Sequence, residues 1–576
     1  MLRTATLLVA LAAVGLGPAR AADINVTADI SVNTTWTADN TYFLDGLIFV
    51  DEGVTLTIQA GTVIKGREQG SITTGDGASA LIVRRGATIL AAGTADAPII
   101  FTAEIDDVTD PFDTDQTDRG LWGGVVVLGR APTNANDGAG TRVDVQIEGI
   151  PFDPGAGTGD EAQFGGSDPQ DDSGILRYVS IRHGGFSISG VEGDEINGLT
   201  LGAVGSETVV EYVEVYANLD DCFEWFGGTV NTRFLAGAFC GDDTFDYDLG
   251  FTGKGQFWFS LQGADIAGRA GEHDSGSSSL GGEGSEPVAL PVLSNATYLG
   301  SGRTAAPSND DANNPAIFFR DNAGGQYHNA IFADFPAQAL RIEDLSSGAD
   351  SRARLEADEL VIAASLFADF GAGSTLAALV QEGSDRTPAS VVAPRLAAAG
   401  SAVATGAVVA AVSREADEAL NPRPVGEAAS GADFSPAPLG DAFFEAVGYR
   451  GAFDPAAPVW LAGWSVLDTG GFLSDGALAT AGEADPVGPP AAVVRGLYPN
   501  PVQAALTVEL ELAAAADVRM VAYDLLGREA AVLADGPLGA GAQALTVDTR
   551  ALAPGTYVVR VRAGEAQAAR TVTVVR

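Results

Sequence analysis

The feature that most constrains this chain is a repeat near its middle. Between Ala217 and Leu261 the sequence reads ANLDDCFEWFGGTVNTRFLAGAFCGDDTFDYDLGFTGKGQFWFSL. Asp220-Asp221 is answered by Asp242-Asp243, Phe223 by Phe245, Glu224 by Asp246 and Trp225 by Tyr247, each at an offset of 22 residues. A period of that size marks stacked folds, in which one repeat cannot bury its apolar side alone and closes against its neighbours. If one repeat is one coil of a β-solenoid, matched residues lie a strand spacing apart, about 4.8 Å. The two acidic pairs then share a line, with Cys222 and Cys240 beside it. Carboxylates so crowded repel unless a cation or hydrogen-bond donors compensate them.

The chain ahead of the repeat is built the same way. Gly46–Val50, Val54–Ile58, Gly61–Lys65, Ala80–Val83, Ala87–Leu90 and Ile99–Thr102 are short β-branched and aliphatic runs broken by Gly or Asp. Such runs, ending in tight turns, predict half-buried strands, and no helix-period stretch between them suggests βαβ units. The 73 glycines among 576 residues fit an all-β chain of many turns. That length is too great for one ordinary core and suits a solenoid with an added domain.

At the N-terminus, residues 1–21 read as a secretory signal peptide: Arg3, then the apolar run Leu7–Gly15, then cleavage after Ala21 in Ala19-Arg20-Ala21. Export places Cys222 and Cys240 in an oxidising compartment, and with no third cysteine to compete they are expected to form a disulfide; two buried thiols are the alternative. The uncharged run Leu396–Ser413 is too rich in Ala, Gly, Ser and Thr to predict a membrane span.

VDEGVTLTIQAGTVIKG, ALIVRRGATILAAGTADAPIIFTAE and RGLWGGVVVLGRA, followed by SGILRYVSIRHGG at Ser173–Gly185 and TVVEYVEVYAN at Thr208–Asn218, resemble coils of secreted right-handed parallel β-helix proteins of the pectin-lyase-like superfamily. The resemblance implies a parallel β-helix over residues 22–370. It implies no one activity, because the same helix serves lyases, hydrolases, adhesins and spacers. Residues 371–479 read as a cap or irregular extension, with helix-friendly Ser374–Gln381 and with Trp460 and Trp464 as apolar bulk over the last coil. Residues 480–493 are a linker by composition.

From Val494 to Arg576 acidic and basic residues balance at eight each, and VRMVAYDLLGREAAVL, QALTVDTR, GTYVVRVRAG and RTVTVVR alternate as strands of a small immunoglobulin-like sandwich. LYPNP at Leu497–Pro501, YDLLGR at Tyr523–Arg528 and LAPGTYVVRV at Leu552–Val561 resemble the C-terminal sorting domain of type IX secretion. That resemblance implies handling by the type IX machinery and a protein that is secreted or attached to the outer surface.

The net charge of −44 therefore belongs to residues before 494. So acidic a surface repels phosphate backbones and excludes nucleic acid as a partner. Lysine occurs only at Lys65 and Lys254. An acidic, lysine-poor surface suits a halophilic protein, and a GC-rich genome would produce the same lysine depletion.

Two readings stand for the acidic line. Asp220, Asp221, Glu224, Asp242, Asp243, Asp246 and Asp248 offer hard oxygen ligands of the kind Ca²⁺ takes. The alternative is a turn ladder, in which the carboxylates cap main-chain N–H groups at coil corners. The acidic insertions at 104–119 and 151–172 fit neither an EF-hand nor a glycine-rich calcium repeat. No nucleophile elbow or zinc-binding helix is present, and His183, His273 and His328 are scattered. A candidate ligand groove combines Lys254, Arg269 and Glu272 with Trp225 and Tyr247, which stack either inside as core or outside as a carbohydrate platform. The function expected is a binding or structural surface passenger, adhesin-like or glycan-binding. The rival is a polysaccharide lyase or glycosidase.

Overall fold

The computed structural model describes residues 22–479 and 492–575, apart from 112, 152–159, 189–194, 308–314, 499–500, 513–514, 525–528 and 564–565. The signal peptide with its cleavage site at Ala21, most of the 480–493 linker and the tip of the YDLLGR turn lie outside the described residues.

One compact unit comprises residues up to 105, 115–404 and 433–446. It is a parallel β-helix whose coils contribute strands to three faces. The first face runs from Thr34–Trp36 through Thr55–Ile58 and Thr88–Ala92 to Lys254–Gln256, Val292–Ser294, Gly325–His328 and Leu360–Ala363. The second runs from Ala22–Val26 to Leu366–Ala368 and Ala402–Val403, so parallel pairing continues past residue 370. The third holds Ala80–Val83, Val125–Leu128, Leu199–Gly202, Phe223–Phe226, Phe245–Asp248, Gly271–His273, Ile317–Phe319 and Leu340–Ile342.

Around the repeat the first two faces share single bent strands. Gly174–Arg182 pairs through its first half with Thr88–Ala92 and through its second with Ile99–Ala103. The bend falls at Tyr178, and at Tyr212 and Phe234 in the next coils, with φ of 48°, 54° and 54°. Left-handed φ at bulky residues is costly. Here the three rings stack on one another at 4.5 and 4.3 Å along the corner.

The 22-residue repeat is one coil. Phe223, Glu224, Trp225 and Phe226 pair in register with Phe245, Asp246, Tyr247 and Asp248. Alternation along each strand turns Phe223, Trp225, Phe245 and Tyr247 inward, each 0% exposed, and Glu224 and Asp246 outward. The interior is an aromatic stack: Phe223 on Phe245 at 5.4 Å, Trp225 on Trp258 at 4.9 Å, and Phe245 on Tyr298 at 5.3 Å.

Ser374–Gln381, helix-friendly by composition, is not helical; it forms turns. Coil pairing displaces the local preference. The Leu340 N–H donates to the Leu379 carbonyl, and the Gln381 N–H to the Leu340 carbonyl, which draws the segment onto the third face. Helix within 371–479 is found instead at Ala389–Ala398, Val466–Thr469 and Asp475–Leu478.

The second unit comprises 106–114, 405–432 and 447–576. Val409–Ala411 pairs antiparallel with Asn421–Pro424, and Phe453, Trp460 and Trp464 stack in sequence. Its C-terminal part has two antiparallel sheets. Ala492–Tyr498, Ala505–Leu512 and Gly541–Asp548 form one; Glu529–Leu538, Ala516–Asp524, Gly555–Ala563 and Ala566–Val574 form the other. Leu506, Val508, Leu510, Met520, Val559, Val561 and Val572 make one shared core between them. Three strands against four is the count of an immunoglobulin-like sandwich.

Candidate functional site: an acidic ladder on the third face

The outward positions of the third face bring Glu224, Asp246 and Glu272 into one line across three coils. Asp221 and Asp243 sit just ahead of the same strands and are 7% and 2% exposed. Each carboxylate reaches one coil onward: Asp221 Oδ1 accepts from the Asp243 N–H at 2.8 Å, and Asp243 Oδ1 accepts from the Arg269 N–H. These two residues therefore act as corner caps.

Three-carboxylate groups converge at two places. Oxygens of Asp220, Asp221 and Asp242 lie within 4.8 Å of one another, as do those of Asp221, Glu224 and Asp246. Asp221 belongs to both. Asp243 is neutralised by Arg269, whose Nη1 lies 3.2 Å from Asp243 Oδ2 and 2.9 Å from Glu272 Oε1. Asp248 stands apart from both groups, toward Asp274 and Arg320. Among the described residues Asp221, Glu224 and Asp246 have no ion pair with an arginine or lysine, and Asp246 Oδ1 is closed off from solvent without a hydrogen-bond partner. All donors being oxygens, the set suits a hard divalent cation.

Burial dominates the electrostatics. It pushes the Asp220, Asp221, Glu224 and Asp246 carboxyls well above the usual range, and neighbouring carboxylates push them further. Burial also raises Asp243 and Asp248 to about 7 and Glu272 to about 8, with the arginines opposing.

Two residues of the ladder were not visible as such in the sequence. Asn197 Nδ2 donates to Glu148 Oε1 at 3.0 Å and to Glu224 Oε2, which brings a fourth acid from the 131–166 insertion. Val145, Ile147, Ile150 and Phe164 of that insertion pack on Val126, Leu128 and Phe226, so its described residues form a cover with its own small core. Glu148 is 76 residues from Glu224 and shares no motif with it.

The groove expected from Trp225, Tyr247, Lys254, Arg269 and Glu272 does not assemble. Trp225 and Tyr247 are inside the helix, because alternation gives the outward positions to their acidic neighbours. His273 stacks on Tyr247 at 4.0 Å and bonds Tyr327 through Nε2 at 2.8 Å, deeper in the same core. Lys254 is on the first face, where its Nζ pairs with Asp441 at 2.6 Å. Arg269 and Glu272 remain on the third face, joined to each other.

Cys222 and Cys240 are joined in a disulfide, with Cα atoms 5.7 Å apart, where one coil passes to the next. Replacing both with Ala should lower stability by about 2–4 kcal/mol, read as a lower urea midpoint, with a steeper slope as the unfolded chain loses its cross-link. An unchanged midpoint would show that the aromatic core alone closes this coil.

Residues 28–408 match the pectate-lyase-like β-helix domain. The chain belongs to that family. Residues 496–575 of this pectate-lyase-like β-helix protein match the secretion-system C-terminal sorting domain, which covers the sandwich. The protein is accordingly exported through type IX sorting and is secreted or attached to the cell surface. Among the described residues no helix is long and apolar enough to cross a membrane. No curated protein matches the chain.

Proposed function

We propose that this β-helix is a surface or extracellular passenger that binds or scaffolds, with a cell-surface or matrix polysaccharide as its partner class, and that it does not turn over substrate. What supports the reading is how the groups suited to polysaccharide cleavage are used. Lys254 is tied to Asp441, Arg269 is enclosed by Asp243 and Glu272, and the strand aromatics Phe223, Trp225, Phe245 and Tyr247 are core. A lyase needs a free base beside a cation that neutralises the substrate's carboxylate, and a glycosidase needs two carboxyls facing an open cleft. The acidic ladder fits a different task. Asp221, Glu224 and Asp246, with Asp220 and Asp242 beside them, would hold a Ca²⁺-class ion that fastens the central coils together.

The family likeness to pectate lyases favours a second reading, a lyase acting on an acidic polysaccharide. One screen separates the two. With the mature protein on uronate polymers, release of new chain ends should stay at the rate without protein, while retention on glycan arrays is positive. Turnover that is lost in Lys254→Ala or Arg269→Ala would overturn the passenger reading.

A further inference from the structure

Beyond the ladder, the third face gathers another set of acids that the 22-residue repeat does not include. Asp321 follows the strand Ile317–Phe319, and Glu343 follows Leu340–Ile342 in the next coil. Glu283 reaches them from the glycine- and serine-rich loop around 276–287. One oxygen from each lies within 4.8 Å of the other two. Oxygens that close can share one ion whose ligands stand at about 2.3–2.6 Å, the Ca²⁺ range. Among the described residues none of the three is ion-paired; the nearby Arg320 is spent on Glu272 and Asp274.

Asn322 separates this cluster from ordinary surface acids. It is 2% exposed, and its Nδ2 donates to the main-chain carbonyl of Glu283 at 2.9 Å. Its main-chain N–H bonds the Glu343 carboxylate, and the Asp321 N–H donates to Glu343 Oε2 at 3.0 Å. The donation to Glu283 settles which end of the amide is nitrogen, so the remaining end is oxygen. That Oδ1 is closed off from solvent and has no hydrogen-bond partner. A buried carbonyl oxygen without a donor is costly, and Asn322 is held at this cluster through Glu283 and Glu343, whose carboxylates carry no neutralising cation among the described residues. A cation compensates both, and an amide oxygen with carboxylates is an ordinary Ca²⁺ ligand set.

We propose that Glu283, Asp321, Glu343 and the Oδ1 of Asn322 bind one hard divalent cation of the Ca²⁺ class, and that the ion ties the 276–287 loop to the last coils of the third face. The site shares no residue with the acidic ladder and stands whether or not the ladder holds metal.

The test is calorimetric titration of the full chain with Ca²⁺ after chelator treatment, using two double variants. Asp221→Asn with Glu224→Gln disables the ladder; Asp321→Asn with Glu343→Gln disables this site. The ladder variant should keep one binding event that the second variant loses or binds at least about tenfold more weakly, and Asn322→Ala should weaken the same event. Subtilisin cleavage within 276–287 should slow in Ca²⁺ for the wild type and the ladder variant only. Both substitutions remove like charge and leave an amide oxygen to accept the main-chain N–H groups at Glu343, so the second variant should melt in chelator no lower than the wild type, which separates lost binding from lost folding. The proposal is overturned if Asp321→Asn with Glu343→Gln binds Ca²⁺ like the wild type, or if the ladder variant shows no event at all.

Discussion

In chelator, the melting temperature should fall as the pH is raised from about 5 to about 8, and Ca²⁺ should shrink that fall. In the unfolded chain the ladder carboxyls titrate near 4, whereas in the fold burial holds Asp243 and Asp248 up at about 7 and Glu272 at about 8. Between those values the folded state binds more protons than the unfolded one. Their contribution is therefore fully present below about pH 4 and is lost as the pH rises through about 7 to 8. His273 and His328 act in the opposite sense. Burial lowers them to about 3 and about 4, so their contribution is present above about pH 6.5 and is lost as the pH falls. Stability without metal should thus peak on the mildly acidic side. A bound ion favours the ionised carboxylates, so the stabilisation by Ca²⁺ should grow with pH, reaching about 2.7 kcal/mol when the ion is at a hundred times its dissociation constant. The comparison is made at fixed ionic strength with Mg²⁺ as control, because screening alone weakens the repulsion. Equal melting curves in Ca²⁺, Mg²⁺ and chelator across the range would leave the corner-cap role as the whole account of the ladder.

The other large effect is expected at Arg269. Among the described residues its guanidinium is the one positive group ion-paired with both Asp243 and Glu272, and it is 6% exposed. Arg269→Ala should cost about 3–5 kcal/mol above about pH 8, where both carboxyls are ionised, since removing one partner of a buried pair strands the other charge. The loss should be smaller at about pH 5, where Asp243 and Glu272 take up protons and need no partner. Adding Asp243→Asn to Arg269→Ala should recover part of the loss, and a double-mutant cycle in urea measures how much. A loss below about 1 kcal/mol with no recovery would mean that water reaches this corner and screens the pair.

The coil register was legible because it is a matter of period. An offset of 22 residues with Phe, acid and aromatic in matched places can pair in only one way in a stacked coil, and Phe223 does pair with Phe245, and Trp225 with Tyr247. The same alternation decides the direction of each side chain once one face is known to be buried. The C-terminal sandwich was legible for a similar reason: alternating strands and ordered turn motifs are local signals. The disulfide needed only two cysteines and an export route.

What the sequence by itself determined, then, is whatever depends on neighbours along the chain or on a fixed period. What depends on residues meeting across many coils was decided by tertiary structure. Nothing local shows that Lys254 faces Asp441 on one face while Arg269 meets Asp243 and Glu272 on another, because the corner between faces separates residues only fifteen apart. Nothing local shows that Glu148 and Asn197 reach Glu224, or that Glu283 joins Asp321 and Glu343. Insertions of irregular length fold back over the helix, and where they land follows from packing such as that of Ile147 and Phe164 on Phe226, not from any spacing in the chain. The physical reason is that a coil's period is enforced by its own hydrogen bonds, whereas the charge environment of a carboxylate is set by whatever the rest of the fold brings over it.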